Sequence, residues 1–198
     1  MRTITLNTDA FLKAYNELNS KIDFETDLVI EILDAGGYIG KVMRKDLRYE
    51  NSDFAGVKIQ RANKRLKQNI FIKFLLKLMP YVVLDKLRNY ESQKARKSIS
   101  EMELNRLCEE KVKISLGNIS NNKTIDNILI VDDAVDTGKT ALIVKRNLKR
   151  LFPQAQIKVA VISWTLENSL IQPDFYIFKD HLVRFPWSED YKGNDFET

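Results

Sequence analysis

The chain of 198 residues contains a single cysteine, Cys108, and a single histidine, His181. One thiol excludes an internal disulfide and any cysteine-rich zinc site. One imidazole excludes a histidine-rich metal centre. No window reaches the roughly 20 apolar residues of a membrane-spanning helix. Met1 and Arg2 lead into polar residues rather than an apolar signal, so the expected location is the cytoplasm. Charge excess is also small. Thirty-two Lys and Arg against 27 Asp and Glu give +5, which suits a polyphosphate ligand and is no argument for nucleic acid. What is present is 44% hydrophobic residues, enough for a real core, and the length of one α/β domain with an appendage.

The most informative stretch is Asn127 to Thr140, NILIVDDAVDTGKT. Ile128 to Val131 is a continuous apolar run, the mark of a strand buried on both faces. Asp132 and Asp133 follow where such a strand would emerge from its sheet. Asp136 to Thr140 reads as a turn, and a helix is predicted from Ala141. Ala141, Leu142, Val144, Leu148 and Leu151 fall on one side of it, Lys145, Arg146, Lys149 and Arg150 on the other, and Pro153 stops it. A strand, a Thr/Gly turn and a helix N-terminus form an anion site, because amide N–H groups and the positive dipole end favour phosphate. Carboxylates repel phosphate, so Asp132 and Asp133 suit vicinal hydroxyls, a metal or a developing cation. A ligand with a phosphate at one end and a diol at the other fits. A nucleotide-binding P-loop does not, since it needs glycine five residues before Gly138 and Asp133 stands there.

VDDAVDTGKT resembles the signature of type I phosphoribosyltransferases, which use phosphoribosyl pyrophosphate (PRPP). The resemblance implies that Asp132 and Asp133 bind the ribose 2- and 3-hydroxyls. It implies that Asp136, Thr137, Gly138, Lys139 and Thr140 hold the 5-phosphate, and that Asp136 also takes the acceptor proton or offsets charge at C1. Ala134 departs from the pattern, which usually has a larger apolar residue there. Upstream, Leu28 to Leu33 reads as a strand with an unusual internal Glu31, and a helix runs from the next loop towards Leu47. That loop is Asp34-Ala35-Gly36-Gly37-Tyr38, whose paired glycines permit close backbone approach to a ligand. It resembles the family's pyrophosphate loop, often the place of a non-proline cis peptide. Arg or Lys, common there in the family, is absent, so backbone amides and Mg2+ are expected to carry the pyrophosphate charge. The ion is expected to bind through pyrophosphate and water rather than to a tight protein site.

Elsewhere, Thr8 and Asp9 are expected to cap a helix bearing Phe11, Leu12, Tyr15 and Leu18. Phe54 to Gln60 reads as a second strand. Residues 61–117 are the main departure from the compact family plan and read as a basic, apolar helical insertion. Arg61, Lys64, Arg65 and Lys67 open it, and Ile70 to Leu84 is apolar apart from Lys73, Lys77 and Pro80. Lys86, Arg88, Lys94, Arg96 and Lys97 form a second basic cluster. Ser100 to Glu103 resembles a capping box for a helix carrying Leu104, Leu107, Cys108 and Val112. Three readings stay open: an arm packed on the sheet or a second subunit, as in a homodimer; a helix touching a membrane or lipid-linked substrate through 70–84; or a nucleic-acid surface, disfavoured because no aromatic-basic platform is evident.

Ile157 to Trp164 and Phe175 to Phe178 read as further strands, and Leu182 to Trp187 closes the chain's fold. Pro173-Asp174-Phe175-Tyr176 with Phe185-Pro186-Trp187 resembles the acceptor-side hood of purine phosphoribosyltransferases, here 165–198. The purine branch commonly has a lysine where Ser163 to Glu167 has none, and a stacking aromatic where Leu182 stands. Trp164, Leu182 and Trp187 are the expected acceptor-side residues, with Lys179 a candidate to reach in. The expectation is one phosphoribosyltransferase domain over 1–198, a twisted, mostly parallel sheet flanked by helices. The resemblance implies pyrophosphate-releasing transfer from PRPP. The missing lysine favours a sugar hydroxyl on a glycan or lipid-linked glycan as acceptor; purine salvage and a PRPP-sensing regulator are the alternatives.

Overall fold

The computed structural model describes residues 1–58, 76–100, 114–115 and 124–196. The basic opening Arg61 to Lys67, the apolar run Ile70 to Leu75, Gln60, the capping box from Glu101 and Cys108 lie outside the described residues. Strands are β1 (Arg2–Thr5), β2 (Leu28–Leu33), β3 (Asp53–Lys58), β4 (Ile114–Ser115), β5 (Asn127–Val135), β6 (Gln156–Trp164), β7 (Phe175–Lys179) and β8 (His181–Arg184). Helices are α1 (Thr8–Lys21), α2 (Gly36–Met43), α3 (Tyr81–Ser100) and α4 (Lys139–Leu151), with a 3-10 turn at Leu47–Tyr49.

One sheet runs β4-β3-β2-β5-β6-β7, and β1 pairs with β8 in a separate two-stranded ribbon. Every pairing in the large sheet is parallel except β3 with β4. The central strands read as unbroken apolar runs because both faces are covered. Val29, Leu129, Val131, Ala160 and Ile162 face one core with Phe11, Tyr15 and Leu18 of α1 and Ile39 and Met43 of α2. Leu28, Ile30, Ile128, Ile130, Val159 and Val161 face the other with Ala141, Val144 and Leu148 of α4. The sequence pattern of α4 needs two corrections. Ile143 and Asn147 are buried, whereas Leu151 is exposed; the helix rolls so that its packed stripe runs through 143 and 147. In α1 the cap is Asn7, whose Oδ1 accepts from Ala10 N at 2.8 Å, rather than Thr8 or Asp9. Leu12 is exposed there and Ala14 is buried in its stead.

Glu31, the charge inside β2, is buried and paired with the Arg44 guanidinium, one of its oxygens accepting at 2.9 Å. Gly40 makes room for it, because a Cβ there would collide with the Glu31 carboxylate. A buried carboxylate without such a partner would cost several kcal/mol (~3–5).

Strand order places the site. From β2 the chain winds towards β3; from β5 it winds the other way, to β6 and β7. The reversal between β2 and β5 opens a crevice at the carboxyl ends of the strands, where open α/β sheets bind ligands.

Candidate active site

β5 is longer than its apolar run predicts. Asp132 and Asp133 lie within the strand, because β6 stays paired with β5 as far as Trp164 opposite Val135. On the other side, the β2 pairing ends at Glu31 opposite Val131. The two acids therefore leave the sheet on one edge only, at the switch-point crevice. Asp132 is buried and accepts from the Asp133 amide at 2.9 Å. Asp133 accepts from the Trp187 indole N–H at 3.2 Å. Burial pushes the Asp133 carboxyl above the usual carboxylate range; the indole hydrogen bond works against that shift and the nearby Asp136 adds to it.

After Val135 the chain turns through Gly138, which has φ 76° and caps α4. An L side chain would be strained at that φ, and its Cβ would meet the Ile171 amide at 2.9 Å. Leu170 N also donates to Thr137 O at 2.8 Å. The turn is thus held against the hood segment, with the helix N-terminus behind it.

Facing it is the loop after β2. The Leu33–Asp34 peptide is cis, the place where the sequence resemblance puts such a bond. Gly36 is buried, and a Cβ on it would lie 2.5 Å from Val131 O and 3.2 Å from Asp132 Cα. Only glycine lets this loop sit against the strand that carries the acids. Gly36 and Gly37 form the first turn of α2 rather than free loop. Tyr38 turns away to stack on Trp187 at 4.6 Å and meet Phe196 edge-on at 5.1 Å.

A cavity of about 640 Å³ lies beside the acids, reached by Asp34 and Ala35 of the loop and Asp136 of the turn but not by Gly36 to Tyr38 or Thr137 to Thr140; its volume is within the usual size of a ligand pocket. Its lining includes Asp34 and Ala35, Asp132 to Ala134, Asp136, Thr165 and Leu166, Leu182, Val183, Phe185 and Ser188. Ala134, the small departure from the motif, is among the lining residues and leaves space there. Leu182 stands at the cavity as expected; Trp164 and Trp187 do not line it. Trp164 belongs to the α4-side core, donates from its indole to Ser169 Oγ at 2.9 Å and meets Tyr176 edge-on. Lys179 is held by Glu167 at 2.8 Å and lies over the Trp164 ring. Trp187 sits behind the acids in an aromatic stack with Tyr38 and Phe185, with Phe11 edge-on.

Two groups were hidden from sequence reasoning. Lys58 at the end of β3 pairs with Asp34 at 3.4 Å, so a cation does stand beside the loop that lacks one in its own sequence. The other is α3. Its Arg88, Glu91, Ser92 and Ala95 line the cavity. Arg88 donates to both Asp190 oxygens at 2.8 and 2.6 Å and to Val183 O at 3.0 Å. Arg184, buried between them, joins Asp190 at 2.9 Å, Asp85 at 2.7 Å and Thr5 Oγ1 at 2.8 Å. Burial works against the Asp190 charge, yet the two arginines outweigh it and hold its carboxyl below the usual range. This part of the insertion packs on its own chain. In the sequence, Arg88 is one of several basic residues and looks like a solvated face; its partner lies 102 residues away.

No family model matches the chain, and no curated protein does. Solved structures do match. A purine phosphoribosyltransferase from Pyrococcus horikoshii is 18% identical, with 95% of each chain covered and a TM-score of 0.59. A xanthine-guanine-hypoxanthine phosphoribosyltransferase from Helicobacter pylori is 16% identical, with 94% of each chain covered and a TM-score of 0.56. A Neisseria gonorrhoeae protein solved with bound ppGpp is 16% identical, covering 94% of this chain and 89% of that one, at a TM-score of 0.53. The chain has the type I phosphoribosyltransferase fold.

Proposed function

We propose that this chain is a PRPP-dependent phosphoribosyltransferase that releases pyrophosphate. The observation that carries the reading is Gly36 packed against Val131 and Asp132, which puts the candidate pyrophosphate loop beside the two acids. In this reading Asp132 and Asp133 accept from the ribose hydroxyls, and the turn Asp136 to Thr140 at the start of α4 holds the 5-phosphate. The C1–O bond to pyrophosphate breaks as the acceptor oxygen bonds C1, and Asp136 takes the acceptor proton. The transition state carries positive charge on the ring, which the nearby carboxylates stabilise.

Mg2+ fits the site chemically, since Asp34, Asp132 and Asp133 offer hard oxygen donors. Among the described residues no three His, Cys, Asp or Glu side chains are grouped to hold a metal ion. In this reading PRPP oxygens and water are its main ligands. When bound, the ion offsets charge on the departing pyrophosphate.

The acceptor in this reading is a sugar hydroxyl, on a glycan or lipid-linked glycan, with membrane contact through 70–84 as its corollary. Supporting it, Leu182 replaces a stacking ring, Trp164 is committed to the core and Lys179 to Glu167. No described helix is long and apolar enough to cross a membrane. Purine salvage is the second reading, favoured by the purine enzymes among the similar structures. Pyrophosphate release from PRPP, screened with purine bases and sugar acceptors and read by mass, separates the two. No release with any acceptor, alongside tight PRPP binding, would favour a sensor.

A further inference from the structure

After β8 the chain forms a strap over 190–196. At one end Asp190 is clamped by Arg88 and Arg184, and Lys192 N donates to the Tyr81 hydroxyl at 3.2 Å. At the other end Asp195 sits on the first residue of α1. Its Oδ2 accepts from Thr8 N at 2.6 Å, and its backbone oxygen accepts from Thr8 Oγ1 at 2.7 Å. The Tyr191 hydroxyl donates to its other carboxylate oxygen. Gly193 leaves room for this bond, because a Cβ on it would collide with the Tyr191 hydroxyl and the Asp195 carboxylate. An acid is favoured at this place, since a helix N-terminus offers spare amides and a positive dipole end. The hydrogen bonds from Tyr191 and Thr8 hold the Asp195 carboxyl down to about 2, so the anchor is charged at neutral pH.

The anchored strap delivers Phe196 to Tyr38. Phe196 meets that ring edge-on at 5.1 Å and stands 5.7 Å from Trp187, on which Tyr38 stacks. Tyr38 lies in the first turn of α2, beside the Gly36 that packs on Val131 and Asp132. Its amide donates to Ala35 O at 3.1 Å, and Ala35 lines the cavity with Asp34. A tie on Tyr38 is thus carried by the backbone to the cavity edge. A binding loop ordered in advance costs less to order when its ligand arrives. We propose that Phe196, anchored through Asp195, is a positioning residue: it holds the loop Asp34 to Tyr38 in the conformation that receives a pyrophosphate group. The ligand rests on the transferase reading; the tie itself does not.

Two measurements on the full chain test this, in wild type, Phe196→Ala, Asp195→Ala and Phe196→Tyr. Phe196 is half-buried and Asp195 exposed, so none of the changes opens the core. Hydrogen exchange read by mass compares peptides over 34–43 and 127–135. Each alanine variant should speed exchange in the first about fivefold and leave the second within about twofold, and Phe196→Tyr, which keeps the ring, should match wild type. Calorimetry then compares magnesium pyrophosphate with ribose 5-phosphate. Each alanine variant should weaken pyrophosphate about fivefold and leave ribose 5-phosphate within about twofold. The double alanine variant should lose no more than the larger single one, because both act through one tie. Unchanged exchange over 34–43, equal losses of both ligands, or a lowered Tm with pyrophosphate affinity intact would each overturn the proposal. A wild-type chain that binds neither ligand would overturn the transferase reading instead, and the exchange comparison would still decide whether the strap holds the loop.

Discussion

The two sides of the cavity are built on different principles. The side bearing Asp132 and Asp133 comes from neighbouring strands and short connections: the end of β5, its turn, and the loop after β2 pressed against them. The opposite side is assembled from distant chain segments: α3 of the insertion, the residues after β6, and β8, which pairs with β1 at the other end of the sequence. Local assembly leaves a continuous motif. Distant assembly leaves isolated residues whose partners are set only by the fold. A side written in two short local stretches on paired neighbouring strands should respond to mutation as a unit, and a side stitched by long-range ion pairs should respond piecemeal.

The largest expected effect is on the first side. Replacing both Asp132 and Asp133 by asparagine should lower kcat/KM for PRPP by at least about a thousandfold, since loss of a single preorganised polar contact costs roughly 10²–10³. Steady-state kinetics with a mass-detected product checks it; near-normal turnover would remove these acids from the chemistry. The same substitution carries a stability prediction. Burial raises the Asp133 pKa above its unfolded 3.8, so the folded state binds the proton more readily than the unfolded one. That contribution to stability is complete below the unfolded value and is lost as pH rises through the folded value. At neutral pH the charged Asp133 therefore burdens the fold. Asp133→Asn alone should raise Tm at pH 7, and the gain should shrink when the melts are repeated near pH 4.

Gly36→Ala comes next. Its Cβ would lie 2.5 Å from Val131 O, a backbone atom that cannot swing aside. The loop must move away from the acids. Overpacking of this kind costs about 1–3 kcal/mol, and a misplacement near 1 Å costs about a hundredfold in rate. Thermal melts and kcat/KM together check this; an unchanged rate would show that the loop does not touch the reacting group.

Arg88→Ala sharpens the contrast from the other side. It removes the bidentate partner of Asp190, which keeps the single Arg184 Nε–H bond at 2.9 Å, and takes the Arg88 donor from Val183 O. A lost hydrogen bond to a charged group is worth about 1.5–3 kcal/mol, so Tm should fall. If PRPP is held by the other side, its affinity should stay within about twofold, and the affinity for the acceptor should change instead. Equal losses of both would mean that the halves are one cooperative unit.

The same division explains what could be read from sequence. The strand–acids–turn–helix succession and the glycine loop were legible because each depends on neighbours in the chain. The extension of β5 past its apolar run was not, because it is β6 that keeps Asp132 opposite Val161. Trp164 invited an acceptor role as an aromatic at a strand end, yet it breaks the alternation of β6 and joins the α4-side core together with Val135, the residue opposite it on β5. Lys58 and Arg88 were indistinguishable from ordinary surface cations until β3 lay beside β2 and α3 beside the hood.

The smallest effect tests a side-chain hydrogen bond that crosses the divide. Trp187 belongs to the hood, yet its indole donates to Asp133. Trp187→Phe keeps a ring against Phe185, Tyr38 and Phe11 and removes the N–H. A single hydrogen bond of this kind is worth about 1 kcal/mol, or roughly a fivefold change in kcat/KM. Structural slackening alone could give that much, so the pH profile is the deciding measurement. The indole holds the Asp133 pKa down against burial and Asp136. Without it the carboxyl should titrate at higher pH, and the acidic limb of kcat/KM should move upward. If Asp133 must be ionised to accept the ribose hydroxyls, the variant loses activity at low pH and recovers towards wild type as pH rises. A uniform loss with an unmoved limb would mean that Trp187 merely fills space and that the two sides share packing but no charge.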